Sequence, residues 1–162
     1  RKKYGGWFLT SNKIPRIKKA NKNKERANEL EKLIAEKLHI NQTPNSGATL
    51  LYKGDQEDKI FLYETKSTQT NKLFLDWFKK ISKEAKEINK IPCLIFIYSE
   101  ALIIFPIILK NKPTYKIIDI TRRSFSISKN IILRIQNISK ISDYWIVIDI
   151  DEFLKLKNND RK

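Results

Sequence analysis

The feature that most constrains this chain is a pair of opposite charges inside a strand-forming segment, Ile60-Phe61-Leu62-Tyr63-Glu64-Thr65-Lys66. Isoleucine, leucine, aromatic residues and threonine fill most of it, which predicts a strand. Its period of two sets Ile60, Leu62, Glu64 and Lys66 on one face, with Phe61, Tyr63 and Thr65 on the other. A carboxylate and an ammonium group therefore project side by side from the end of a buried strand. Burying either alone is costly, so the pair needs partners, and a divalent metal plus a phosphate would supply both. Asp55, just after Gly54 in the preceding turn, is the candidate second carboxylate, which gives the spacing Asp-x8-Glu-x-Lys.

The flanking segments prepare this strand and follow it. Over residues 25–38, Ala27, Leu30, Leu33, Ile34 and Leu38 fall at helical spacing and make one apolar stripe bordered by Glu31. His39, the single histidine, follows the helix end as a surface or capping residue rather than a general base. Residues 41–48 are rich in Asn, Thr, Pro, Ser and Gly and read as a loop. Within it Ser46 offers a hydroxyl to a phosphate, and Gly47 allows close backbone approach; an ordinary turn is the equal alternative. Residues 49–52 predict a short strand ending at the Lys53-Gly54-Asp55 turn, and Glu57 and Asp58 read as solvated turn charges. Beyond the central strand, residues 67–71 form a polar link suited to capping a helix over about 73–89. That helix buries Phe74, Trp77, Phe78, Ile81, Ala85 and Ile88, while Lys72, Lys79, Lys80, Lys83 and Lys86 cover its other sides. Such a lysine run is a solvated face by default, with phosphate contact as its functional reading.

Two apolar runs, 92–98 and 101–109, predict paired central or near-central strands, with Pro106 demoting the second to an edge or bulged strand. A strand over 115–121 follows, and then a short strand or helix start at 125–128. A helix is expected from 129 to about 138, a last strand over 144–150, and a short helix over 152–156 capped by Asp151. Arg122-Arg123-Ser124 is a phosphate-contact candidate, balanced against a solvated turn. The expected fold is an α/β domain with a mixed sheet flanked by helices.

Composition narrows the function classes. The 162 residues suffice for one domain with a sizeable core, expected over 25–162. The formal net charge of +15 favours a polyanionic partner, nucleic acid before an anionic membrane. Residues 1–24 carry nine of the basic residues and no acidic one, with Tyr4, Trp7 and Phe8 interspersed. They read as a basic arm, either solvated or ordered on nucleic acid, in which Lys2, Lys3, Arg16, Lys18 and Lys19 are the candidate phosphate contacts. The lone Cys93 leaves no intramolecular disulfide and no cysteine metal cluster, which suits a reducing compartment. Neither a secretory h-region nor an apolar run of membrane-spanning length is found, so a cytoplasmic location is expected, in the host cytoplasm if the source is viral.

Gly54-Asp55 followed by Glu64-Thr65-Lys66 resembles the PD-(D/E)xK nuclease signature. Pro44-Asn45-Ser46-Gly47-Ala48 resembles the preceding loop in Holliday-junction resolvases and related phage endonucleases. The resemblance spans roughly residues 25–98; Gly54 stands where the family's proline would be. It implies a restriction-endonuclease-like fold and a Mg2+-dependent DNA endonuclease, with Mn2+ able to substitute. It further implies metal ligation by Asp55, Glu64, the carbonyl of Thr65 and Glu31, and a catalytic Lys66. Ser46, Gly47, Lys53, Ser67, Lys72, Arg122 and Arg123 would then face DNA, and a homodimer would suit a symmetric four-way junction. The alternatives are another nuclease of the superfamily, acting in restriction or repair, and a non-catalytic nucleic-acid-binding recombination accessory.

Overall fold

The computed structural model describes residues 29, 32–38, 41–42, 56–57 and 59–159. The alternating segment forms strand β3 (Phe61–Ser67), reached through two short strands, β1 (Asn41–Gln42) and β2 (Gln56–Glu57), that make an antiparallel meander with it. Helix α1 (Leu75–Glu87) then crosses over to β5 (Ile91–Ile97), which pairs parallel to β3 from Phe61↔Ile91 to Ser67↔Ile97. Antiparallel pairing continues through β6 (Ala101–Ile107) and β10 (Tyr144–Asp149) to β9 (Ile131–Arg134), whose outer edge takes β7 (Lys116–Asp119) in parallel. The mixed sheet thus runs β1-β2-β3-β5-β6-β10-β9-β7. A separate two-stranded ribbon joins β4 (Leu73–Phe74) to β8 (Ser124–Phe125).

Both faces of the sheet are covered, which gives two cores. Phe61, Tyr63, Ile95, Ile103 and Ile148 pack with Ile34 and Leu38 of the helical residues 32–38 and with Phe153 of α2 (Ile150–Asn159). On the opposite face Leu62, Leu94, Ile104, Trp145 and Val147 pack with Phe78, Ile81 and Ala85 of α1. A strand covered on both faces reads as a continuous apolar run, and β5 and β6 do. Among the described residues, no helix is long and apolar enough to cross a membrane.

The helix α1 ends as its sequence dictates but begins differently. Asn89 takes a left-handed conformation (φ 57°), Asn89 N–H donates to the Lys86 carbonyl, and Lys90 N–H donates to that of Ala85. This is a Schellman ending. At the start, Phe74 is the N-cap and makes no side-chain cap bond; Leu75 N–H instead donates to the Arg123 carbonyl at 2.8 Å. The cap expected from the polar 67–71 link is therefore supplied by a distant segment.

Several other expectations are corrected. Residues 41–42 are strand rather than loop, and Glu57 lies in β2 rather than in a turn. Ile60 precedes β3 and is exposed, so the buried face begins at Leu62. Phe74, expected in the core, is exposed as well. Pro106 lies in the interior strand β6: the β5·β6 ladder covers only residues 101–104 of β6, so the proline falls past its end, while β10 pairs across it at Trp145. The helix expected over 129–138 is β9. Its Ile-Ile-Leu run is buried between β10 and β7, and left-handed Asn130 and Asn137 bracket it. Long-range pairing overrides the local helical reading here. The final helix starts at Ile150, and Asp149 rather than Asp151 caps it by accepting from Glu152 N–H at 2.9 Å.

Candidate functional site

Period two along β3 puts Glu64 and Lys66 on the face covered by α1. Glu64 is only 6% exposed. A carboxylate at that depth must be compensated, and two ammonium groups do so. Lys80 Nζ, from α1, lies 3.4 Å from Glu64 Oε1, and Lys66 Nζ lies 3.8 Å from Oε2. Lys80 also lies 3.6 Å from Glu84 Oε1, one helical turn further on, so one ammonium serves two carboxylates. Lys66 is held from below by the Trp77 ring, 5.4 Å to its centroid, and Trp77 in turn packs edge-on to Phe74.

Backbone pairing orients the rest of β3. Ile91 N–H donates to the Ile60 carbonyl, and Thr68 N–H donates to that of Ile97. Even-numbered backbone groups of β3 therefore face β5, and the carbonyl of Thr65 faces the opposite edge, where β2 pairs only Leu62 and Tyr63.

A basic rim surrounds the start of α1. Lys72 is exposed immediately before β4, and Arg122 and Arg123 are exposed immediately before β8, the strand that pairs with β4. Arg123 Nη2 lies 3.6 Å from Asp76 Oδ2 in the first turn of α1. The ribbon thus brings Lys72 and the arginine pair to one end of the helix. Ser67 closes β3, partly exposed. Of the other candidate residues, Glu31, Asp55, Ser46, Gly47, Lys53, Lys2, Lys3, Arg16, Lys18 and Lys19 lie outside the described residues.

Among the described residues, no group of three or more acidic, histidine or cysteine side chains surrounds a metal position. Glu64 and Glu84 supply the carboxylate oxygens that a hard cation takes, and here both Glu64 oxygens meet ammonium groups. Lys80, the cation now beside them, has a side chain more than half exposed and can withdraw to solvent. Sequence reasoning missed Lys80 and Glu84 as neighbours of Glu64. Their signal was the Lys-x3-Glu spacing on a helix following the Glu-x-Lys strand, but only the crossover distance places them over it. Comparison with protein-family models, characterised proteins and solved structures finds no match to this chain.

Proposed function

We propose that this protein is a metal-dependent DNA endonuclease of the PD-(D/E)xK kind, with a restriction-endonuclease-like fold, acting on branched DNA and most specifically on four-way junctions. The observation that carries the reading is Glu64: a nearly buried carboxylate beside Lys66 on a strand whose surroundings are basic. In a protein of net charge +15, an acidic group at a surface that receives DNA repels phosphate unless a cation intervenes. Glu64, Asp55, the carbonyl of Thr65 and Glu31 would hold Mg2+, or Mn2+ in its place. The reading requires the β2·β3 register, Glu57↔Leu62 and Gln56↔Tyr63, to extend by one residue, which would set position 55 opposite Glu64.

When bound, the metal supplies a water of lowered pKa and offsets charge on the scissile phosphate. Lys66, steadied on Trp77, orients that water or neutralises charge developing on phosphate oxygens. Lys72, Arg122 and Arg123 hold the flanking backbone, and the basic arm adds salt-sensitive affinity. A symmetric junction has two scissile positions, so the active assembly is a homodimer presenting two sites. Action in the cytoplasm, of the host if the source is viral, follows from this reading.

A second reading, a non-catalytic binder of recombining nucleic acid, is favoured by one observation: both Glu64 oxygens already face lysines. Labelled four-way junction, flap, single-stranded and duplex DNAs incubated with Mg2+, Mn2+ or EDTA separate the two. The endonuclease cleaves the junction with either metal and not with EDTA. Asp55→Asn and Glu64→Gln then lose about a thousandfold or more in rate, roughly 4 kcal/mol of transition-state stabilisation, yet bind junction DNA at least as well without metal. Lys66→Ala also stops cleavage, with binding slightly weakened. Near-normal cleavage by any variant removes that residue from the mechanism, and no cleavage of any substrate by the wild type leaves the binder.

A further inference from the structure

On a different side of α1 from the residues that meet Glu64 lies a cavity of about 560 Å³ between helix residues 79–86, the start of β5 and the loop 137–141. Lys79, Lys83, Lys86, Lys90 and Lys140 line it, and none of its described lining residues is acidic. Its walls also include the apolar side chains of Ile91, Pro92, Ile138 and Ile141. The volume falls in the range that accommodates small ligands of nucleotide size.

The lysines are not a splayed surface run. Lys83 and Lys86 come from one helix, Lys90 from the Schellman turn that ends it, and Lys140 from a loop more than fifty residues away in sequence. Both turns that bring them together are pinned: Asn89 and Asn137 line the cavity in left-handed conformations, and Asn137 N–H donates to Asp143 Oδ1 at 3.2 Å. Lys140 stands near enough to Lys86 to lower its pKa, first through a side-chain hydrogen bond and then through its charge. Ser82, buried at the helix side of the cavity, has a hydroxyl with no hydrogen-bond partner among the described residues. The bland reading is that lysines gather at a helix C-terminus to meet its negative dipole end. That accounts for Lys83 and Lys86, but not for Lys140, which arrives from another element and sits against a like charge.

We propose that this cavity is a phosphate-binding pocket for a nucleotide-sized ligand, its anionic group held among Lys83, Lys86 and Lys140 and its body against Ile91, Pro92 and Ile138. An anion there relieves the Lys86–Lys140 repulsion, and the apolar wall covers a sugar or base that a bare phosphate lacks. The same chemistry has two sources, a free nucleotide or a terminal nucleotide of a nucleic-acid strand. The pocket shares no residue with the Glu64, Lys66, Lys80 and Glu84 cluster, so it does not depend on the endonuclease reading.

Calorimetric titration of the full chain with pyrophosphate, adenosine 5′-monophosphate, and a short single-stranded oligonucleotide with and without a 5′-phosphate tests it. In the wild type, saturable binding of the mononucleotide is expected, tighter than that of pyrophosphate. Lys86→Gln/Lys140→Gln weakens it by about tenfold or more, whereas Lys110→Gln/Lys116→Gln, the same charge loss outside the cavity, changes it by no more than about twofold. Saturable binding of the 5′-phosphorylated oligonucleotide alone, with the same dependence on Lys86 and Lys140, also supports the pocket and assigns its ligand to a strand end. No saturable binding of any probe, or an equal loss in the control pair, overturns the proposal.

Discussion

Two sides of α1 handle charge in opposite ways. On one, at i, i+4 and i+8, the charges are mutually satisfied: Asp76 meets Arg123, and Lys80 sits between Glu64 and Glu84. On another, lysines from the helix and the 137–141 loop converge with no carboxylate among the described lining residues. The helix supplies lysines to both sides, from Lys79 to Lys86; the difference lies in what faces them. Strand β3 presents a carboxylate to the first group, and a loop presents one more lysine to the second. Opposite charge fixed inside the protein makes a site for a metal or a structural ion pair. Like charge left facing a cavity makes a site for an anion from outside.

The largest expected effect removes what the two sides share. Phe78 is fully buried in the first turn of α1 and packs edge-on against Trp145, 5.0 Å between ring centroids. Phe78→Ala should lower unfolding stability by about 3–5 kcal/mol, measured by urea denaturation, and weaken anion and DNA binding together. Loss of function on one side alone, with global stability unchanged, would show that the sides are supported independently.

A smaller effect isolates the mixed-sign side. Glu64→Gln should cost about 1–3 kcal/mol by removing charge-assisted contacts to two lysines, and the cost should change little with added salt because the carboxylate is nearly buried. Lys80→Gln should cost at most about 1 kcal/mol, since its own side chain is largely solvated. Equal losses in the two variants would mean that Lys80, not burial, holds the carboxylate in place.

The smallest effect belongs to the like-charge side, and its sign is opposite. Lys86 has a pKa lowered by Lys140, so in its vicinity the folded protein binds fewer protons than the unfolded chain. That penalty is fully present below the lowered pKa and is lost as pH rises above the ordinary lysine value. Lys86→Gln should therefore raise Tm slightly at pH 7, with the gain shrinking as the pH becomes strongly alkaline and as salt is added. A thermal-shift series across pH that shows a constant gain, or a loss, would remove the like-charge repulsion from the account.

What the amino-acid sequence determined by itself was local. Alternation put Leu62, Glu64 and Lys66 on one face of β3, and helical spacing buried Phe78, Ile81 and Ala85 on α1. Both follow from fixed periodicities of side-chain direction, which need no knowledge of the partner surface. Tertiary structure decided whatever depends on which surfaces meet. It made β9 a strand because β10 and β7 flank it, kept Pro106 inside the sheet because the β5 ladder stops short of it, and capped α1 from Arg123. It also chose the partners of the charges. Lys80 and Lys86 lie on the same helix, yet one meets Glu64 and the other meets Lys140, because the strand and the loop they face set electrostatic surroundings that intrinsic propensity leaves open.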